Sequence, residues 1–256
     1  MAMACKGCGD GTELPFKFKM AFQPIVDVAE HRVWGYEALV RGPEGESAHS
    51  VLSQLTDEQL YRFDQDARVM AIETAGQLFD DPHARLSINF MPNAVYEPRA
   101  CIQKSLQAAS RARFPASNLM FEFTENERMS DPKHVENIIR TYKALGFWTA
   151  LDDFGAGYAG LSLLARLQPN LIKIDMELLR DIHLSQPKQV IVSALAGIAR
   201  ELDITLLAEG VESEAELTTL RAAGIRLFQG YYFAKPGFMS LPAVRGLGKI
   251  DLSLAL

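Results

Sequence analysis

The sequence predicts an α/β fold, a (β/α)8 TIM-type barrel of eight strands that opens with one antiparallel strand near the N-terminus. Three observations carry this expectation. From Phe16 onward, short β-rich apolar runs alternate with amphipathic stretches, the pattern of parallel strands joined by crossover helices. The β-rich runs number eight, and 256 residues suit one barrel of ordinary size. Only AEHR separates the first two runs; it leaves no room for a crossover helix, so these two pair as an antiparallel hairpin.

In chain order the predicted strands are MAFQPIVD (20–27), VWGYEALVR (33–41), RLSINF (85–90), LMFEFT (119–124), WTALDD (148–153), NLIKID (170–175), ITLLAEG (204–210) and RLFQG (226–230). Helical periodicity falls at 57–79, 98–112, 131–146, 161–167, 188–203 and 214–224, with a last turn near 240–247. No long low-complexity linker interrupts them. Residues 16–256 therefore read as one domain behind a glycine-rich leader, 1–15, expected to be a flexible tail or a contact for a protein partner.

Composition narrows the functional classes. A content of 48% hydrophobic and 23% charged residues is enough for a full-sized core. The net charge of −6 offers no basic stripe for polymeric nucleic acid, although a local site could still hold phosphates through metals. No apolar stretch approaches the ~18–20 residues of a membrane span, and the N-terminus lacks the apolar segment of a signal peptide. A cytoplasmic protein without membrane insertion is expected. Cys5 and Cys8 form a C-x-x-C, but no second pair follows at zinc-site spacing, so the bland reading of a free leader is preferred.

The informative residues lie at the strand ends. Parallel strands covered on both faces should be almost wholly apolar. Here Glu37, Asn89, Glu122 and Glu125, Asp152 and Asp153, Lys173 and Asp175, Glu209 and Glu212, and Gln229 fall near the same end of successive runs. The C-terminal strand ends of a barrel converge on one mouth. Carboxylates gathered there repel unless cations neutralise them, and all-oxygen ligands favour Mg²⁺ or Mn²⁺ over zinc. His31, His49, His83, His134 and His183 fall on no predicted strand end and are read as surface or loop residues.

Gly155, Gly157 and Gly160 have the G-x-G-x-x-G spacing of a dinucleotide turn, and Asp175 follows about where a ribose-binding acid belongs. Yet Asp152 and Asp153 immediately precede the glycines, where they would oppose a pyrophosphate at a helix N-terminus. A nicotinamide cofactor would also leave Glu37, Asn89, Glu122 and Glu209 unexplained. The DFG string lacks the H-R-D loop of a kinase. A mobile loop turning sharply beside metal ligands suits the glycines better.

In order along residues 16–247, FQPIVD, YEALVRG, SINF, FEFTE, DDFGAGYAGL, LIKID, AEGVE and QGYYFAKP resemble the motifs of the EAL-domain cyclic di-GMP phosphodiesterases. The resemblance implies a modified (β/α)8 barrel that cuts cyclic di-GMP at one phosphodiester bond to linear pGpG, with two Mg²⁺ or Mn²⁺ ions per active site and a homodimer. It implies Glu37, Asn89, Glu122 and Asp152 as ligands of one metal. Asp152 would bridge to a second metal that also uses Asp153 and, directly or through water, Glu209. Lys173 would orient the nucleophilic water, Gln229 support the site, Glu125 anchor the glycine loop, and Gln23 and Arg41 contact substrate. The glycine loop departs from the family's usual threonine and serines. The principal rival is a non-catalytic EAL-like module that binds cyclic di-GMP or a protein partner; a barrel hydrolase for another phosphate ester is the second.

Overall fold

The computed structural model describes residues 14–124, 131–157 and 160–246. Strands β1 (Lys19–Asp27), β2 (Arg32–Arg41), β3 (Arg85–Asn89), β4 (Leu119–Thr124), β5 (Trp148–Phe154), β6 (Leu171–Ile174), β7 (Thr205–Ala208) and β8 (Leu227–Phe228) follow one another around a closed barrel. Pairing is parallel from β2 to β8. β1 runs against both neighbours, β2 and β8, and closes the ring. The AEHR turn, with His31 at φ 50°, enforces that reversal.

Among the described residues the helices are α1 (Ala48–Leu52), α2 (Asp57–Leu78), α3 (Pro98–Cys101), α4 (Gln103–Ala112), α5 (Pro132–Ala144), α6 (Gly160–Leu167), α7 (Met176–Leu179), α8 (Gln186–Glu201) and α9 (Glu214–Ala222). α2 buries Phe63, Ala67, Ala71 and Ala75, a four-residue repeat that turns one face to the barrel wall. α5 starts where the Asp131 carboxylate accepts from the Lys133 and His134 amides.

Several elements depart from expectation. The helix read over 98–112 breaks at Ile102 into two pieces. Asp175 ends no strand: its side chain accepts from Glu177 N at 2.8 Å and caps the short α7, so the dinucleotide reading loses its ribose acid. The strand read over 226–230 has only two residues, because the chain leaves the wall at Gln229. It returns as β9 (Gly237–Phe238), which pairs with Ala21 and Phe22 of β1 and completes the wall above β8. The segment expected to turn helically near 240–247 carries no helix among its described residues.

Candidate active site

The site is a layer of the barrel interior. Ile25, Met120, Ala150, Leu171, Leu207 and Leu227 form one buried apolar cluster with Trp34. Two residues nearer the mouth on the same strands, and so on the same inward face, stand Gln23, Glu122, Asp152, Lys173, Glu209 and Gln229. Glu209 and Gln229 lie just past their strands, but their amides still bond to Ile174 O (3.2 Å) and Ala208 O (2.9 Å), which continues the register. Glu37 pairs across the sheet with Gln23 on one side and Ser87 on the other. The strand period thus converts residues scattered along the sequence into one polar ring above an apolar plug.

Lys173 is its centre. The side chain is 1% exposed, and Nζ lies 2.8 Å from Glu209, 3.1 Å from both Glu122 and Asp152, and 3.4 Å from Glu37. Burial alone would discharge the ammonium, but these carboxylates more than offset that and hold its pKa well above the usual lysine value. The carboxylates move the other way. Burial, opposed by Lys173 and reinforced by Glu37 and Asp152, raises Glu122 to about 8. Burial also lifts Glu209 well above the carboxylate range despite Lys173, and lifts Asp153 beside Asp152. One ammonium does not neutralise the ring.

Hydrogen bonds fix the remaining orientations. Ser87 Oγ donates to Glu122 Oε1. Asn89 Nδ2 donates to Glu37 Oε1 at 3.0 Å, and Gln229 Nε2 reaches Glu37 Oε2 at 2.7 Å and Gln23 Oε1 at 3.2 Å. Adjacent strand residues point to opposite faces, so Asp152 and Asp153 can share a site only if the strand is broken between them. It is: Asp153 adopts φ 54°, and the register against β6 shifts between Leu151 and Phe154. The turn is held by Asp153 N donating to Asp152 Oδ1 (2.9 Å) and Thr124 Oγ1 donating to Asp153 Oδ2 (3.0 Å). Gly155, at φ 101°, continues it in a conformation that side chains resist.

The residues fit a pair of hard divalent cations. Glu37, Glu122 and Asp152 bring carboxylate oxygens within 4.8 Å of one another, as do Asp152, Asp153 and Glu209, with Asp152 common to both sets. Among the described residues the buried Gln229 Oε1 has no hydrogen-bond partner, which leaves one more hard oxygen unpaired on a residue of the ring. No histidine enters it; His49 and His134 lie on α1 and α5 rather than in loops.

Other expected positions stand apart. Arg41 ends β2 four residues beyond Glu37, and its Nη1 donates to Val40 O at 2.7 Å. Glu125 falls outside the described residues. Glu212 turns from the ring and pairs with Arg180 at 2.9 Å. Above the ring, a cleft of about 370 Å³ is lined by Gln23, Glu37, Glu209 and Gln229 below and by Met176, Arg180 and Tyr231 at the rim. In the sequence this cleft leaves only traces: the apolar Met176 directly after LIKID and the tyrosines following Gln229. Met176 and Tyr231 are each 54% exposed.

Comparison with known proteins agrees with this geometry. The family model described as EAL domain matches residues 16–236. The chain is 36% identical over 225 residues to the blue light- and temperature-regulated antirepressor BluF of Escherichia coli (strain K12), covering 88% of this chain and 55% of BluF. It is 31% identical over 234 residues to the cyclic di-GMP phosphodiesterase NbdA of Pseudomonas aeruginosa, covering 86% of this chain and 29% of NbdA. It thus spans about half or less of the length of these curated relatives. The crystal structure of a standalone versatile EAL protein from Vibrio cholerae O395, in its c-di-GMP-bound form, superposes with a TM-score of 0.89 at 52% identity, covering 93% of this chain and all of that one. With the barrel, the carboxylate ring around Lys173 and these matches in hand, the chain belongs to the EAL domain family.

Proposed function

We propose that this protein is a phosphodiesterase that opens cyclic di-GMP to linear pGpG with two Mg²⁺ or Mn²⁺ ions. The observation that carries the reading is the pair of acidic triplets sharing Asp152 around a buried Lys173. Glu37, Asn89, Glu122 and Asp152 would hold one cation, with the Asn89 amide turned over to present its oxygen. Asp152, Asp153 and Glu209 would hold the other. Cations bound there supply charge neutralisation and Lewis-acid polarisation at the phosphodiester.

The chain's own residues do the rest. Lys173 keeps its proton among four carboxylates, so it serves as a donor that orients water and steadies developing negative charge. Glu209 is the ring carboxylate most open to the mouth, with 17% of its side chain exposed. We assign it to take a proton from the attacking water on that exposure and on its place in the ring. Water adds to phosphorus, the bond to one ribose 3′ oxygen breaks, and that oxygen leaves with a proton as the 3′ hydroxyl of pGpG. Met176 and Tyr231 offer surfaces for the guanines and Arg180 a fork for phosphate oxygens at the cleft; Arg41 is assigned a substrate contact on its likeness to the family motif alone.

A second reading has one observation in its favour: BluF, 36% identical, is named an antirepressor. On that reading the chain binds a protein partner or cyclic di-GMP without cutting it. The acidic ring argues for the enzyme, since a pure binding module has no use for a buried lysine among unneutralised carboxylates. Incubating the protein with cyclic di-GMP and Mn²⁺, with and without EDTA, and separating the nucleotides by chromatography decides between them. Conversion to pGpG that EDTA abolishes supports the enzyme; intact cyclic di-GMP with Mn²⁺ present supports the module.

A further inference from the structure

Behind the Asn89 end of β3 lies a buried charge pair that the proposed reaction does not use. Asp64 and Arg68, one helical turn apart on α2, pair through Asp64 Oδ2 and Arg68 Nη2 with side chains 1% and 0% exposed. Arg68 also donates from Nη1 to Tyr142 Oη on α5 at 3.3 Å and from Nε to Asp64 O at 3.3 Å. The Gln65 amide, oriented with its oxygen toward Arg68, accepts from Nη2 at 2.9 Å and donates to Cys101 O at 3.0 Å. The guanidinium carbon stands 5.9 Å from the ring centre of Phe90.

A buried ion pair is weak evidence of stability, because desolvation consumes most of its Coulomb gain. What this one holds is more telling. The second oxygen of Asp64, Oδ1, accepts from the backbone N–H of Met91 at 2.9 Å. The amide before it, Phe90 N, donates to Glu122 O at 2.9 Å. Immediately past Asn89 the chain is therefore fastened twice, once to the strand bearing Glu122 and once to a helix outside the barrel. Arg68 holds the Asp64 carboxylate in place through Oδ2 while Oδ1 meets the Met91 amide, and Phe90 is clamped between the two fastenings. The Asn89 side chain is exposed at the mouth, and among the described residues it hydrogen-bonds to Glu37. Its backbone is paired with Glu122 in the ladder between β3 and β4, and the Asp64 contact fixes the chain just beyond it.

We propose that Asp64, held by Arg68, is a positioning residue of the cation site: through the Met91 amide it sets where Asn89 stands relative to Glu37 and Glu122. This rests on the assignment of Asn89 as a ligand. Partners that orient ligands typically change metal affinity by about 10–100-fold when removed.

The test removes the charge pair in two ways. Asp64→Leu with Arg68→Met replaces it with apolar side chains and deletes the acceptor for Met91 N; Asp64→Asn with Arg68→Met deletes the same charges but keeps an acceptor oxygen. Neither leaves an uncompensated buried charge, which protects folding, and circular dichroism checks it. Mn²⁺ binding is read by titration calorimetry without substrate, with Asn89→Ala as the benchmark. The Leu/Met protein should bind Mn²⁺ about tenfold more weakly, like Asn89→Ala, and the Asn/Met protein within about twofold of the parent. Equal affinity in all three, or equal loss in both double variants, overturns the positioning role. Parental affinity in Asn89→Ala overturns it by another route, because the ligand assignment beneath it has then failed. Should either double variant not fold, hydrogen exchange at Met91 in the unaltered protein remains: slow exchange matching the core strands supports the anchor, and free exchange overturns it.

Discussion

Removing divalent cations and raising the pH should destabilise this protein, and Glu122 sets the scale. Its pKa rises from 4.5 to about 8 in the fold. At about 1.4 kcal/mol per pH unit, ionising it in place costs on the order of 5 kcal/mol. Sharing of charge among the neighbouring carboxylates reduces what is observed, so about half of that, roughly 2 kcal/mol, is a conservative figure. The sign follows from proton binding. Between these two values the folded chain holds a proton on Glu122 that the unfolded chain has released, so the contribution is intact below about pH 4.5 and is lost as pH rises through about 8. Asp153 and Glu209 are also raised and act in the same sense. For a domain of this size about 2 kcal/mol shifts Tm by roughly 4–8 °C. Thermal melts in EDTA at about pH 5 and about pH 9 should show that fall, Mg²⁺ should reverse it most at the higher pH, and Glu122→Gln should flatten it. If Tm in EDTA holds steady across that range, or if Glu122→Gln falls as steeply as the parent, the account of an uncompensated acidic ring is wrong.

Three further outcomes follow from the same geometry. Lys173→Ala removes the proton donor and the one ammonium that pairs with the ring among the described residues; turnover should fall by about 10²–10⁴, and the Tm gained on adding Mg²⁺ should grow, whereas unchanged turnover would remove Lys173 from the mechanism. Asp153→Asn keeps the shape and the Thr124 contact but takes one charge from the second cation set, so cyclic di-GMP should still bind in calorimetry while kcat drops sharply. Gly230→Ala would place its Cβ 2.1 Å from Val211 O at φ 156°; the backbone must shift beside Gln229, and both melting temperature and activity should fall, unlike a neutral surface change.

The barrel and its ring were legible in the sequence because both rest on period two. A polar residue two positions after an inward apolar one, as in Met120 to Glu122 or Leu171 to Lys173, places a charge on a buried face wherever the strand exists. Features set by one residue's backbone were not legible. Asp153 reads as the next strand position, and only its left-handed conformation turns it to the side of Asp152. Asp175 looks like one more strand-end acid, but the four-residue helix MELL that follows makes it a cap. The pairing of β9 with β1 joins residues over two hundred positions apart through two residue pairs, with no periodic signal at all. Arg68 and Asp64 read as ordinary polar positions on an amphipathic helix; their burial depends on α5 and the end of β3 closing over them.

The central claim is that two cations share Asp152 and that both are needed to cut cyclic di-GMP. Titrating Mn²⁺ into the metal-stripped protein at a protein concentration well above the dissociation constants, while following bound Mn²⁺ and pGpG together, tests it most directly. The account predicts that pGpG formation stays low through the first equivalent and reaches its plateau as the second binds. Full activity with one Mn²⁺ per chain, or two bound ions with cyclic di-GMP left intact, would contradict it.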